Sequence, residues 1–298
     1  MPIFTRKETT MSLHHALRPA WLRILILAAI VAVTGLLVST SQIASAHEVA
    51  AAGTSGAKPV IVLEHGAWAD GSSWDQVVRI LQADGYTVYV PPNPLRGVTA
   101  DSAYLNDFLT QNMNLAGKPV VLAGHSYGGF VITNAAVGDA EVKALVYVDA
   151  FLPKRGDTLQ SLTTPGSCFA VPDPTTVFDA VPYPSVPPGD VDLYVKQSVF
   201  PGCFANGLPP AEAAALAATQ RPLPHSALTE PSGVPAWQTV PSWDVIGTAD
   251  HVIPEAGQLA MAERANAHIT EINAPHLSMI SNPCAVARVI EQAARATS

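Results

Sequence analysis

The apolar run Val120-Val121-Leu122-Ala123 breaks abruptly into Gly124-His125-Ser126-Tyr127-Gly128-Gly129. A strand buried on both faces has no use for a polar pair set between glycines. A chain that must turn sharply and aim one hydroxyl does. The residues from Tyr127 to Ala136 read as a helix, so G-x-S-x-G falls where a strand ends and a helix begins. That junction holds the serine in a strained backbone conformation. Side chains at Gly124 and Gly128 would collide with the neighbouring strand and helix, and Gly129 adds room for close packing. The hydroxyl then stands at a helix N-terminus, whose dipole favours developing negative charge.

The surrounding pattern supports that placement. Val60 to Leu63 and Pro119 to Ala123 are short apolar runs, as doubly covered strands should be. Tyr86 to Val90, Val142 to Val148, Ser242 to Ile246 and Ile269 to Ile272 add four more strands. Between them lie helices over Trp74 to Ala83, capped by Ser72 or Ser73, then Thr99 to Gln111 and Pro254 to Ala265. Leu277 to Ala296 closes the chain as helix, with a break expected at Pro283. Strands alternating with helices predict an α/β fold with a doubly wound, mostly parallel sheet. Residues 151–236 interrupt the rhythm: they hold 15 of the 26 prolines, and only Ala211 to Gln220 reads as a firm helix. Phe151, Phe169, Phe178, Tyr183, Tyr194, Phe200 and Phe204 argue against disorder. The segment reads as an inserted cap over the sheet's edge.

The first 46 residues differ in kind. Arg6, Lys7, Arg18 and Arg23 precede the apolar stretch Ile24 to Val38, and Ala44-Ser45-Ala46 ends the segment. A basic start, an apolar middle and a small-x-small end describe a secretory signal peptide. The stretch is shorter than the ~20 residues that span a bilayer, so residues 1–46 are expected to be removed, leaving no stable membrane anchor. Residues 47–57 form a small-residue linker, and 58–298 form the folded domain, secreted or periplasmic. The chain carries 16 Lys and Arg against 24 Asp and Glu, a formal net charge of −8. Losing the leader removes four basic residues and one acidic one, which makes the balance more negative. That argues against a nucleic-acid partner. None of Cys168, Cys203 and Cys284 sits in a CxxC or CxxH pattern, so no metal is expected.

Taken together, "VLEHGAWADGSSW", "GHSYGG", "GTADHVIP" and "APHLSM", in that order, resemble the α/β-hydrolase superfamily. The resemblance is to the branch of plant methyl-ester esterases, hydroxynitrile lyases and their bacterial relatives. It covers residues 58–298, with the cap matching least. It implies Ser126 as nucleophile, with the acid and then the histidine following in the chain. Of the four histidines after Ser126 (His225, His251, His268 and His276), His276 lies between the last short strand and the final helix, where this fold places its base. Asp250, after the strand at 242–246, is the implied acid; Asp244 lies within that strand, and Asp149 occupies the site some hydrolases use instead. The backbone N–H groups of Ala67 and Tyr127 are the implied oxyanion hole. His65 reads as an orienting hydrogen-bonder, His125 as structural, His251 as flanking. Trp68 is a candidate for the substrate pocket.

These residues point to a serine esterase acting on a small-molecule ester without a cofactor. A hydroxynitrile lyase would carry a lysine in the loops lining the site, and none lies near the motifs. A dehalogenase or epoxide hydrolase would carry aspartate in place of Ser126. A non-catalytic ligand-binding protein on the same scaffold is the reading from another class. An imidazole base predicts a rate rising with pH through roughly 6 to 7. Cys168 and Cys203, each followed by phenylalanine in the cap, are expected to form a disulfide, with Cys284 a free, small, buried thiol.

Overall fold

The computed structural model describes residues 58–184 and 188–297; the expected leader (1–46) and linker (47–57) lie outside the described residues. Strand β1 (Val60–Glu64) is followed by α1 (Asp75–Ala83), β2 (Val88–Tyr89), α2 (Val98–Gln111), β3 (Val120–His125), α3 (Gly128–Ala135) and β4 (Val142–Val148). After the insertion come β8 (Ser242–Gly247), α6 (Glu255–Arg264), β9 (His268–Ile272), α7 (Ser278–Ser281) and α8 (Pro283–Ala296). The strands form one sheet in the order β2-β1-β3-β4-β8-β9, every neighbouring pair parallel.

Every residue of β1 and β3 is buried. That follows from their continuous apolar sequence: helices cover both faces, so alternation is not needed. Helix α8 lies against β4, β8 and α1, while α2 packs on α3. The chain leaves β1 toward β2 and returns on the other side as β3. Loops after β1 and β3 therefore face each other across a topological switch point, where open α/β sheets place their ligands.

Local chemistry moves several boundaries. Ser72 and Ser73 do not cap α1. Asp70 does the capping instead, on a 3₁₀ turn over Gly71–Trp74, accepting from Ser72 N at 2.8 Å and from its hydroxyl at 2.5 Å. Strand β2 is only two residues long: Tyr86 N–H turns back to Leu81 O, and Pro91 has no N–H to extend the ladder. Gly97 offers no side chain to cap α2, so Glu230 accepts from Val98 N (2.6 Å) and Thr99 N (2.9 Å) instead. Cys284 is exposed, not buried. It sits roughly 200° around α8 from Val286, which opens the buried stripe of that helix.

The insertion between β4 and β8 is more ordered than its prolines suggest. It holds α4 (Leu159–Leu162), α5 (Pro210–Thr219) and a three-stranded antiparallel sheet of β5 (Phe178–Pro182), β6 (Val191–Val195) and β7 (Leu223–Pro224). Prolines at the ends of β5 and β7 keep the strands short, which hid them from a periodicity reading. Cys168 and Cys203 are joined in a disulfide with Cα atoms 5.7 Å apart.

Strand β8 carries one anomaly. Asp244 is wholly buried, and neither carboxylate oxygen has a hydrogen-bond partner among the described residues. Its register neighbour on β4, Tyr147, pairs its hydroxyl with Thr133 at 2.8 Å and is not available to it. Burial, reinforced by the nearby Asp149 carboxylate, holds the Asp244 carboxyl far above the usual range and keeps it neutral. The unfolded chain releases that proton above its ordinary pKa, so raising the pH favours unfolding. Asp244→Val should raise Tm by about 2–4 °C at pH 7, as a gain of about 1 kcal/mol does in a domain of this size. The gain should shrink at pH 4, as measured by thermal unfolding at both pH values.

Candidate active site

The junction after β3 shows why its glycines are there. Ser126 takes φ +52°, a left-handed conformation that side-chain-bearing residues seldom hold. A Cβ on Gly124 would lie 2.7 Å from Gly128 O, and one on Gly128 would lie 2.8 Å from Glu64 O at the end of β1. One on Gly129 would strike the Phe151 carbonyl oxygen. Helix α3 thus starts in contact with the ends of two strands. Across the switch point, Gly66 brings its loop so close that a Cβ there would lie 2.8 Å from Ser126 Cβ.

Three side chains from three loops meet at that point. His276 Nε2 lies 3.1 Å from Ser126 Oγ, and His276 Nδ1 lies 2.8 Å from Asp250 Oδ2. His276 is fully buried and Ser126 and Asp250 nearly so. Asp250 accepts further N–H groups from Val252 (2.7 Å), Ile253 (2.9 Å) and the Gln258 side chain (2.9 Å). Burial raises the Asp250 carboxyl above its ordinary value, while those donors hold the carboxylate in place and favour its charged form. With Nδ1–H donated to Asp250, His276 presents a bare Nε2 to the serine hydroxyl. Burial holds the imidazole well below its ordinary 6.5.

The other sequence candidates take different places. Asp149 does not bond His276. Its Oδ1 accepts from Gly247 N (2.8 Å) and its Oδ2 from Ser278 N (3.2 Å), so it ties the end of β8 to the loop that carries His276. Asp244 stays inside the core. His65 donates Nδ1–H to Gly66 O (2.9 Å) and accepts from Asn93 N at Nε2 (3.0 Å). Burial pushes its pKa down to about 4, so it stays neutral and shapes the loop. His125 donates Nε2–H to His276 O at 2.9 Å. His251 donates Nδ1–H to Gly202 O at 3.1 Å.

Ala67, Tyr127 and Ser126 line one wall of a cavity of about 320 Å³. The Tyr127 hydroxyl is held away from it, donating to Asp101 Oδ2 at 2.7 Å. Trp68 lines the cavity and also fastens the insertion. Its indole N–H donates to Leu193 O (2.9 Å), and its ring stacks on Phe178 at 5.4 Å and meets Phe169 edge-on at 5.0 Å. Leu159, Leu193 and Leu223 from the insertion close the far side, and among the described residues no lysine, arginine, aspartate or glutamate lines it. Asp101 and Gln258 have no place in the sequence reading, whereas Phe204 enters it only as one of the aromatics of the insertion. Gln258 left one trace, a polar residue on the inner face of a helix.

Residues 61–289 match the alpha/beta hydrolase family, and the chain belongs to that family. A carbendazim-hydrolyzing esterase of Nocardioides sp. (strain SG-4G) is 37% identical over 110 residues, covering 34% of this chain and 46% of that protein. A pyrethroid hydrolase of Sphingobium wenxiniae is 34% identical over 119 residues, covering 36% of this chain and 41% of that protein. The chain thus aligns with less than half the length of either relative. Among solved structures, an extracellular α/β-hydrolase from a Paenibacillus species, described as sharing structural and functional homology with tobacco salicylic acid binding protein 2, superposes with a TM-score of 0.65. It is 21% identical, over 79% of this chain and 98% of that one.

If Nε2 of His276 must be bare for turnover, protonation below its pKa abolishes the rate. Burial lowers that pKa, so the acid limb of kcat/KM should fall below the roughly 6-to-7 range of an ordinary imidazole base. A pH–rate profile in kcat/KM checks this.

Proposed function

We propose that the protein is a secreted serine hydrolase that cleaves uncharged carboxylic esters through an acyl-enzyme. The observation that carries this reading is the unbroken line Ser126 Oγ–His276–Asp250, set against a mostly apolar cavity into whose lining Gln160, Thr163, His225 and Thr229 bring polar groups. Ser126 Oγ attacks the ester carbonyl while His276 Nε2 takes its proton. The N–H groups of Ala67 and Tyr127 hold the resulting oxyanion, and Asp250 stabilises the imidazolium. His276 then returns the proton to the departing alcohol. In the second half, His276 takes a proton from water, the hydroxide attacks the acyl carbonyl, and Ser126 regains its proton as the acid leaves. The sequence of steps uses no metal or organic cofactor.

The cavity supports the substrate class. A pocket near the lower end of the size range for small-molecule sites, without a charged wall, favours a neutral ester with an apolar or aromatic group. The absence of lysine from its lining speaks against the hydroxynitrile lyase reading. Relatives named for hydrolysing carbendazim and pyrethroids are consistent with an esterase. Secretion rests on the composition of residues 1–46 and on the disulfide, which oxidising compartments maintain. Among the described residues no helix is long and apolar enough to cross a membrane.

Ser126→Ala should stay folded and lower kcat on a neutral aryl ester on the order of 10³-fold or more, since the three groups act as a unit. It should also lose labelling by a fluorophosphonate. A variant retaining more than about a tenth of kcat, a change of only ~1.4 kcal/mol, would overturn the mechanism. Asp250→Asn should be similarly crippled; if Asp149→Asn is the more damaging change in the same assay, the acid is misassigned. N-terminal sequencing of protein recovered outside the cell should begin at His47.

A further inference from the structure

The disulfide lies in the insertion, yet its two arms end on the machinery of the triad. On one arm, Cys168 N–H donates to His251 O at 2.8 Å, and the Ser167 hydroxyl donates to Val252 O at 2.7 Å. On the other, Gly202 O accepts from His251 Nδ1 at 3.1 Å, and the Asn206 side chain donates to Ala249 O at 2.8 Å. Asp250 is therefore enclosed: of its neighbours, Ala249 is bonded to the second arm and His251 to both, and the sulfurs join those arms to each other. The second arm reaches further. Phe204, next to Cys203, sets its ring edge-on against His276 with centroids 5.0 Å apart, and against Trp68 at 6.1 Å. Phe204 is almost fully buried. Three residues on, Gly207 packs beside Pro275, which precedes His276; a Cβ there would lie 3.2 Å from the proline ring.

We propose that the Cys168–Cys203 disulfide, together with Phe204, positions the Asp250–His276 pair, so that the bridge sets the turnover rate and not only the stability of the insertion. This rests on the triad reading above. The physical reason is that Asp250 is carried by a loop, and loops are the mobile parts of a fold unless tied. Its own hydrogen bonds to Val252, Ile253 and Gln258 fix the carboxylate within the loop. The arms fix the loop against the insertion, and Phe204 fixes the imidazole from its ring face. With the sulfurs separated, the two arms stay linked through His251 by hydrogen bonds and no longer by a covalent bond, and a misplacement of about 1 Å is enough to lower turnover. Binding should change less: Phe169, Ala170 and Val171 follow Cys168 in the cavity wall, but Ala67, Trp68, Leu159, Leu193 and Leu223 come from other segments. Loosening also admits water to His276, whose pKa then returns upward toward that of a free imidazole.

The test uses the whole domain in a Cys284→Ser background, with 4-nitrophenyl acetate as substrate, below the unfolding temperature of each form. Reduction by dithiothreitol breaks the S–S bond and leaves two thiols, while the reagent supplies two electrons and two protons and leaves as its cyclic disulfide. The reduced protein, and separately Cys168→Ser/Cys203→Ser, should show kcat lowered about tenfold, KM within about twofold, and an acid limb displaced to higher pH. Reoxidation of the reduced protein should restore all three. Phe204→Leu keeps the bridge and should displace the acid limb in the same direction with a smaller loss of kcat. An unchanged kcat and pH profile in folded reduced protein would overturn the proposal, as would a change confined to KM. If both cysteine forms unfold, Phe204→Leu decides: an unaltered profile there overturns it. Failure of the triad itself would show separately, as turnover that survives Ser126→Ala.

Discussion

Around Ser126 there is no space between helix α3 and the strand ends beneath it, and the rest of the site is arranged about that contact. Cβ atoms at Gly124, Gly128 or Gly129 would each meet backbone at distances no real contact tolerates. Backbone cannot move aside as a flexible side chain can. So the helix starts where it does only because those three positions are glycine. The same contact forces Ser126 into a left-handed conformation, which lifts its hydroxyl to the level of the loops after β1, β8 and β9. Gly66 completes the approach from the opposite side of the switch point.

Burial then sets the chemistry. The imidazole of His276 is wholly enclosed: Asp250 and Ser126 meet its two nitrogens, the His125 and Phe204 rings lie 4.7 and 5.0 Å away between centroids, and the His125 ring bonds the His276 backbone carbonyl. A dry environment disfavours the imidazolium at rest and strengthens every dipole directed at it. Asp250, which faces the imidazole, is held by three N–H donors besides the histidine. His65 belongs to the same logic with the opposite outcome. Accepting at one nitrogen and donating at the other, it has no role left but to hold the loop that carries Ala67.

The insertion is more than a cover. Trp68 donates to it, Arg96 pairs with Asp192 at 2.8 Å, and Arg221 donates to Asn93 O at 2.9 Å, beside His65. Glu230 supplies the cap that α2 lacks. These ties run from the insertion to the loops that build the site, so its aromatic side chains both line the cavity and pack against His276.

Much of this was legible in the residues themselves. The apolar runs at 60–63 and 119–123 marked doubly covered strands, and the glycines around Ser126 marked the sharp turn, because both are local consequences of sterics and burial. Pro283 marked the break before α8 for the same reason. What sequence could not show were choices made between distant segments. Asp149, Asp244 and Asp250 are alike as letters. Their places relative to the strands made Asp250 the implied acid, but only the packing of β4, β8 and the 276 loop shows that Asp149 ties two loops and that Asp244 lies in the core without a partner among the described residues. The strands of the insertion were hidden because prolines cut them below the length at which alternation shows. Cys284 was expected inside and lies outside, since the buried stripe of α8 begins two residues later. The pKa of His276, too, depends on how completely Phe204 and its neighbours exclude water. That enclosure comes from contacts between segments about 70 residues apart, and no local pattern records it.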